Sequence, residues 1–139
     1  ESITLAELVA AELAPYSEDS DGRLRTAGED VRLASAQAIA LGLVINELAT
    51  NALKYGALST DSGRLDVRWR MSKDHLVVEW RESDGPKVRA HAIENFGSRL
   101  LRRLVEGQLK GSLRRELAGD GVTCIVEFPL SPAASRTTS

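Results

Sequence analysis

The sequence predicts an α+β two-layer sandwich, in which about three helices cover one face of a mixed, mostly antiparallel sheet. Apolar residues recur at helical spacing near the N-terminus and in a long run over residues 34–55. Apolar and charged residues alternate over 65–71, and strand-like sequence follows at 76–80, 112–117 and 122–128. Strands outnumber helices and the hairpins are antiparallel, so we expect helices on one sheet face and Arg, Asp and Glu side chains on the other.

The first helix is predicted from its capping residues. Thr4 has the position of an N-cap and Glu7 follows three residues later, which is the spacing of a capping box. The apolar residues that follow recur at helical period, and we expect the helix to end at Pro15. Two short strands, 23–26 and 31–33, are then expected around a glycine-containing turn.

The long apolar run predicts a buried helix over 34–55, and Gly56 is a natural stop for it. Charged and glycine-containing sequence over 82–95 predicts a long loop, which in a compact domain is more often functional than idle. A further helix is expected to open at 96–98. The chain length of 139 residues indicates one domain, over residues 1–130, followed by a flexible Ser/Thr/Pro/Ala-rich tail.

The composition excludes several classes of protein. The net charge is −2, which gives no bulk electrostatic case for binding nucleic acid. We expect the longest apolar run to be too short and too interrupted to cross a membrane, so no membrane contact is predicted. The single cysteine, Cys124, excludes an internal disulfide framework and a cysteine metal cluster, and is expected to be a core residue. These features fit a cytoplasmic protein.

The most informative stretch is 46–56, at the end of the long apolar run. Glu47, Asn51, Lys54 and Tyr55 fall three and four residues apart, so on a helix they form one polar stripe. Buried polar groups need partners, which are either backbone groups or a polar ligand. A carboxylate, an amide oxygen and an ammonium group on one face suit a nucleotide phosphate with its Mg²⁺.

Several segments together resemble one family. Residues 46–56 resemble the N box of the ATP-binding domain of sensor histidine kinases, which belongs to the GHKL superfamily. Residues 80–82, followed by Gly85 and Pro86, resemble the Trp-x-Glu signature of the HWE subfamily of these kinases. Residues 96–101 resemble the glycine-containing segment after the ATP lid, and residues 121–130 resemble the last strand. The resemblance covers nearly the whole chain, and it implies the GHKL ATP-binding fold.

The resemblance implies roles for the polar stripe. Asn51 would be the Mg²⁺ ligand, and the ion would bridge the ATP phosphates. Glu47 would orient metal-bound water or act as a base near the γ-phosphate. Lys54 would contact phosphate as a point charge, and Tyr55 would pack beside the nucleotide or its lid.

Other implied contacts lie in the loop and after it. Glu82, or alternatively Asp84, would accept a hydrogen bond from the adenine amino group. A glycine at position 85 lets the backbone approach the ligand closely. At the next helix, phosphate would be bound by Gly97, Ser98 and Arg99. A basic cluster is expected to be a solvated face or, alternatively, a docking surface: Arg102, Arg103, Lys110, Arg114 and Arg115.

The family pattern is not complete. Asn46 stands where the HWE subfamily has a histidine, and Asp84 and Asn95 stand where glycines are expected. Neither His75 nor His91 begins a long helix, so the phosphoacceptor histidine and its helical domain are expected upstream, outside this chain.

The expected function is γ-phosphoryl transfer from Mg·ATP to that histidine in a bacterial two-component sensor kinase. A response regulator would be the next partner. The alternatives are an anti-sigma-type serine-protein kinase on the same fold, and a non-catalytic interaction module that binds no nucleotide.

Overall fold

A computed structural model describes residues 2–17, 22–86, 98–118 and 121–130. The chain begins with a short strand β1 (Ser2–Thr4), helix α1 (Leu5–Ser17), strands β2 (Leu24–Gly28) and β3 (Arg32–Ala34), and the long helix α2 (Ser35–Tyr55). A 3-10 turn (Ala57–Ser59) leads to the hairpin of β4 (Arg64–Ser72) and β5 (His75–Ser83). Helix α3 (Ser98–Arg102) continues as a π-helical segment (Arg103–Gln108), and strands β6 (Ser112–Ala118) and β7 (Gly121–Pro129) form the last hairpin.

The main sheet has five strands in the order β2-β4-β5-β7-β6. Only the β2–β4 pair is parallel; the other neighbours in this sheet are antiparallel. The helices lie on one face, and the opposite face carries charged side chains such as Arg68, Arg70 and Arg81, which are exposed. In the described part of the chain, the predicted α+β two-layer architecture is therefore confirmed.

The core lies between the helices and the sheet because each element directs an apolar set inward. The fully buried large side chains come from every layer: Leu5, Leu13, Leu33, Leu41, Ile45, Leu65, Leu76, Trp80, Leu101, Leu109 and Phe128. Burial of this size is the main favourable contribution to folding.

Helix α1 begins as the sequence predicts. Glu7 N–H donates to Thr4 Oγ1 at 3.2 Å, and Glu7 Oε1 accepts from Thr4 N–H at 3.0 Å, which is a complete capping box. The expected end at Pro15 is wrong, because the helix continues to Ser17. A proline lacks the N–H that would bond to the carbonyl four residues earlier, and its ring crowds that carbonyl, but at Pro15 this affects only the last turn of the helix.

The two short strands before α2 do not pair with each other. β2 pairs in parallel with β4, whereas β3 pairs with β1 in a separate two-stranded sheet. Trp69 explains the position of β2: its ring packs directly over Gly28, where a Cβ would overlap it, and its indole N–H donates to Glu29 O at 2.8 Å.

Helix α2 crosses the sheet and carries the polar stripe at its C-terminal end. With 21 residues it is, contrary to expectation, long and apolar enough by composition to suit a membrane span. Half of its most apolar stretch is buried inside this domain, which accounts for that composition. The helix ends at Gly56, whose N–H donates to Ala52 O at 3.0 Å.

The structure corrects the predicted limits of β5 and of the last helix. β5 extends through Ser83, so Glu82 lies inside a strand and not in a loop. The predicted last helix begins at Ser98, but its α-helical part ends at Arg102. The predicted loop over 87–95 and the tail over 131–139 lie outside the described residues.

Candidate functional site

Glu82 is the buried acidic residue at the end of β5. The residue is 6% exposed. Its Oε1 accepts a hydrogen bond from the Ala57 N–H at 2.9 Å, and its Oε2 accepts one from the Trp80 indole N–H at 2.8 Å. Because each oxygen is held by a separate donor, the carboxylate is fixed in both position and orientation.

Glycines allow the surrounding backbone to close on this carboxylate. A Cβ at Gly56 would overlap Glu82 Oε1, and a Cβ at Gly121 would overlap the Glu82 backbone oxygen. At Gly63 it would overlap the Ala57 backbone oxygen. Gly56 therefore does more than stop α2: the absence of its side chain lets the helix end and the β5 carboxylate meet.

The charge of Glu82 is costly in this position. Burial raises the pKa of the Glu82 carboxyl, and the hydrogen bonds from Ala57 and Trp80 and the positive charge of Arg115 oppose that rise. A carboxylate oxygen has a second lone pair, so both oxygens can accept a further donor from a ligand. The site therefore favours a ligand that offers an N–H group.

A pocket lies in front of Glu82, where α2, β5, β6 and β7 converge. Its walls are mainly apolar with a few polar groups, which is the usual character of a small-molecule site. It encloses about 30 Å³, enough for one or two water molecules, so a planar base would require the pocket to open further. The lining residues are Leu48, Asn51, Tyr55, Gly56, Glu82, Arg115, Val122 and Cys124.

The polar stripe of α2 is partly in this pocket. Asn51 and Tyr55 are half-buried and line it together with Glu82, although the two segments are far apart in sequence. Glu47 is half-buried one turn before Asn51, and Lys54 is exposed in the last turn of the helix; neither lines the pocket. The stripe therefore runs from the pocket wall to the domain surface.

Known proteins resemble this chain in sequence and in fold. The chain is 32% identical over 133 residues to blue-light-activated histidine kinase 1 of Erythrobacter litoralis, and 34% identical to the blue-light-activated histidine kinase of Brucella ovis. These matches cover 94% and 93% of this chain. Among solved structures, the histidine kinase domain of the Erythrobacter litoralis protein superposes with a TM-score of 0.69 at 27% identity, covering 91% of this chain and 63% of that one. Over nearly its whole length the chain is thus similar to proteins named as histidine kinases.

A second solved structure shares the fold of this chain. The catalytic domain of histidine kinase ThkA has a TM-score of 0.72 at 20% identity, and the match covers 95% of this chain and 96% of that one. The chain spans 37% and 27% of the lengths of the two curated relatives. No protein-family model matches the chain. The prediction of a histidine kinase catalytic domain of the HWE-like kind is confirmed.

The structure places Asp84 apart from Glu82. Asp84 is exposed, its carboxylate lies 3.4 Å from the Arg64 guanidinium, and its backbone oxygen accepts from Ser62 Oγ at 3.2 Å. With Gly85 it lines a separate polar cleft. Asp84 has φ +57°, a conformation that favours glycine, and a glycine is what the family pattern has there. Of the two candidate carboxylates, only Glu82 lies in the pocket with Asn51.

The remaining predicted contacts lie beyond the pocket. Gly97 lies outside the described residues, as does His91. Ser98 begins α3, and Arg99 is exposed on it. His75 begins strand β5 and does not begin a helix. The roles of Gly97, Ser98 and Arg99 stay predictions.

Arg115 is the residue that the sequence reasoning misplaced. The basic cluster is predicted to be a solvated face, but Arg115 is half-buried and lines the pocket beside Glu82 and Cys124. Burial raises the pKa of the Cys124 thiol to about 11, against the opposing charge and hydrogen bond of Arg115. The signal in the sequence is the alternation along β6, which places Arg115 on the same strand face as the half-buried Leu113, two residues earlier.

Proposed function

We propose that this domain binds Mg·ATP and supplies the γ-phosphoryl group to a histidine of a bacterial two-component sensor kinase. The acceptor histidine would lie in a helical domain outside these 139 residues. One observation carries the proposal: a buried, doubly hydrogen-bonded carboxylate and the Asn51 amide line one pocket. The identity to histidine kinases over 94% of the chain supports it.

The base end of the site is assigned to Glu82. A carboxylate held by the Ala57 amide and the Trp80 indole presents its remaining lone pairs to the pocket. An adenine amino group would donate to one of these, while Leu48 and Val122 contact the ring faces. Tyr55 would pack along the edge of the base. Asp84 and Gly85 are assigned to the rim, where the loop leaves β5.

The phosphate end is assigned to the C-terminal half of α2. Asn51 would hold Mg²⁺ through its amide oxygen, Glu47 would orient a water molecule or accept a proton, and Lys54 would contact phosphate. The described residues contain no group of three or more His, Cys, Asp or Glu side chains that could hold a metal ion by themselves. This donor set fits Mg²⁺, which commonly takes one or two protein ligands together with phosphate oxygens and water. When bound, the ion would neutralise charge on the phosphate oxygens.

The chemistry requires positioning more than covalent help. Phosphoryl transfer is catalysed mainly by alignment of the reactants and by charge stabilisation, so a rigid base pocket is the useful part of such a domain. Gly97, Ser98 and Arg99 would add phosphate contacts at the start of α3. The structure of ThkA in complex with its response regulator TrrA suggests the next partner, and we propose a response regulator here too. We also place the domain in the cytoplasm and propose no contact with nucleic acid or membrane.

The proposal is tested with the full-length protein and γ-labelled ATP. We expect an acid-labile label, the property of phosphohistidine, and its loss in Asn51→Ala. The isolated domain should bind ATP but acquire little or no label. An acid-stable label would favour a serine-protein kinase instead, and a stoichiometric label on the isolated domain would contradict the assignment of the acceptor to another domain.

A further inference from the structure

Helix α2 has an outward face, opposite the sheet, on which large apolar side chains are exposed. Ile39 is 67% exposed, Leu43 51% and Leu53 49%. These residues belong to a row whose members recur at alternating intervals of three and four residues, which is the spacing of a coiled-coil seam. The row, here called the α2 seam, consists of Ala36, Ile39, Leu43, Asn46, Thr50 and Leu53.

The two polar members of the α2 seam are compatible with a partner helix. Thr50 Oγ1 donates to Asn46 O at 2.9 Å, so this hydroxyl is satisfied within α2. The Asn46 side chain is exposed, and a single asparagine in such a seam fixes the register of paired helices at a cost in stability. At a rise of 1.5 Å per residue the seam is about 26 Å long, which is close to five helical turns.

The two sides of the α2 seam differ in charge. Helix α1 contacts β2 at one edge of the sheet, and the π-helical segment that continues α3 contacts β6 at the other edge, so α2 lies between them. Helix α1 carries Glu7 and Glu12 and neither Lys nor Arg. On the other side there are three arginines and one glutamate: Arg99, Arg102, Arg103 and Glu106. The seam therefore has an acidic and a basic flank.

We propose that the α2 seam pairs with the α2 seam of a second copy of this chain, with the two helices parallel. A two-fold axis parallel to α2 sets the acidic α1 of each copy opposite the basic α3 of the other. An axis perpendicular to α2 makes the helices antiparallel and places like charges together, which is unfavourable. In the parallel pair each seam residue lies beside its own copy, so the two Asn46 amides can exchange hydrogen bonds. The inference does not depend on the proposed nucleotide site.

The test is sedimentation equilibrium of the 139-residue chain over a concentration series. One helix pair of this length covers less than the roughly 1,600 Å² of a standard interface, so the association should be weak. We expect dimers to become detectable at about 100 µM, as for small transient interfaces.

Three variants test whether the α2 seam is the interface. Leu43→Arg sets two like charges against each other and should weaken self-association by more than about tenfold. Asn46→Leu removes the polar seam residue and should strengthen self-association by about tenfold. The matched control is Leu117→Arg, at a leucine that is 41% exposed on β6; it should change self-association by less than about twofold. Urea denaturation checks that each variant is folded, and Ile39→Arg replaces Leu43→Arg if the latter is not.

Oxidative cross-linking tests the orientation of the two helices. In the parallel pair residue 39 meets its own copy, so Ile39→Cys alone should give a disulfide-linked dimer. The native thiol of Cys124 is buried and should give no such product in the wild type. In an antiparallel pair Ile39 would instead meet Leu53, so that a cross-link would require a mixture of Ile39→Cys and Leu53→Cys.

Three results would overturn the inference. The first is a wild-type chain and an Asn46→Leu variant that both stay monomeric at about 1 mM, far above the range expected for a weak interface; the seam would then be left for a helix of another protein or domain. The second is equal self-association of the wild type and folded Leu43→Arg, which would place the interface elsewhere. The third is cross-linking in the antiparallel pattern, which would contradict the match between the acidic and basic flanks.

Discussion

The base end and the phosphate end of the candidate site differ in how much of the fold supports them. At the base end, Glu82 is 6% exposed, and both of its carboxylate oxygens accept hydrogen bonds from groups fixed in the core. At the phosphate end, Lys54 is exposed and Glu47 and Asn51 are half-buried side chains of one helix. Changes at the base end should therefore affect stability and binding together. Changes at the phosphate end should affect binding alone.

This difference corresponds to the tasks of the two ends. A flat base is recognised by a rigid carboxylate in an apolar slot, which requires close packing of α2, β5 and β7. Phosphates and their cation are recognised by charge and oxygen ligands, which solvent-exposed side chains can supply. The predictions below test this division, beginning with the largest expected effect.

Gly121→Ala should be the most damaging change at the base end. Its Cβ would overlap the backbone oxygen of Glu82, which cannot move without displacing β5. We expect the free energy of unfolding to fall by about 3 kcal/mol, the upper range for overpacking, as measured by urea denaturation.

The matched control is Gly107→Ala, where the added Cβ meets no atom within 4 Å from the described residues outside its own stretch of helix. That change should be neutral or raise the free energy of unfolding by about 0.5 kcal/mol, since alanine favours helical conformations. Equal losses in the two variants would contradict the close approach at Gly121.

Trp80→Phe removes the indole donor from Glu82 Oε2 and leaves a buried acceptor short of a partner. We expect a loss of about 2 kcal/mol in the free energy of unfolding and weaker ADP binding. Trp69→Phe is the control, because its indole donates at 2.8 Å to a backbone oxygen far from the pocket. It should lower stability but leave ADP affinity unchanged; a parallel loss of affinity would mean that general destabilisation causes the effect.

Glu82→Gln should change the pH dependence of stability. Burial raises the pKa of Glu82 in the folded domain, so its contribution to stability is fully present below the ordinary glutamate pKa and is lost as pH rises through the raised value. In this window the slope for one carboxyl is at most about 1.4 kcal/mol per pH unit. Urea denaturation over a pH series should show that the free energy of unfolding depends less on pH in the glutamine variant. An unchanged pH dependence would show that Glu82 is not the titrating group.

Asp84→Gly should have the smallest effect. Glycine adopts the left-handed conformation at φ +57° without strain, and the lost Arg64 ion pair is exposed and therefore weak. We expect a change within about 0.5 kcal/mol in the free energy of unfolding, whereas Asp84→Ala should cost about 1 kcal/mol. A large loss in the glycine variant would show that the Arg64 pair matters more than the backbone conformation.

The parts of the fold that the sequence predicted are those governed by local pattern. The capping box of Thr4 and Glu7, the helix α2 and the β4–β5 hairpin each depend on residues close in sequence. The pairing of β2 with β4 and of β3 with β1 joins distant segments, and neither periodicity nor turn residues encode it.

In the candidate site, too, the sequence predicted the features that depend on local pattern and missed those that depend on contacts between distant segments. The spacing along one helix predicted a shared face for Asn51 and Tyr55, and both line the pocket. Arg115 was missed because charged residues usually face solvent, and its inward position follows only from the alternation within β6. Gly56 is predicted from the sequence to stop the helix. In the structure, the atom that a side chain at this position would meet first is Glu82 Oε1, which the tertiary fold brings close to it.

The most direct test is calorimetric titration of ADP, with and without Mg²⁺, into the wild-type domain and Asn51→Ala. If Asn51 holds the cation at a phosphate end that is independent of core packing, Mg²⁺ should strengthen ADP binding to the wild type. The variant should lose that dependence, while its free energy of unfolding changes by less than about 1 kcal/mol, since alanine also favours helix. Equal Mg²⁺ dependence in the two proteins, or no ADP binding by the folded wild-type domain, would contradict the account.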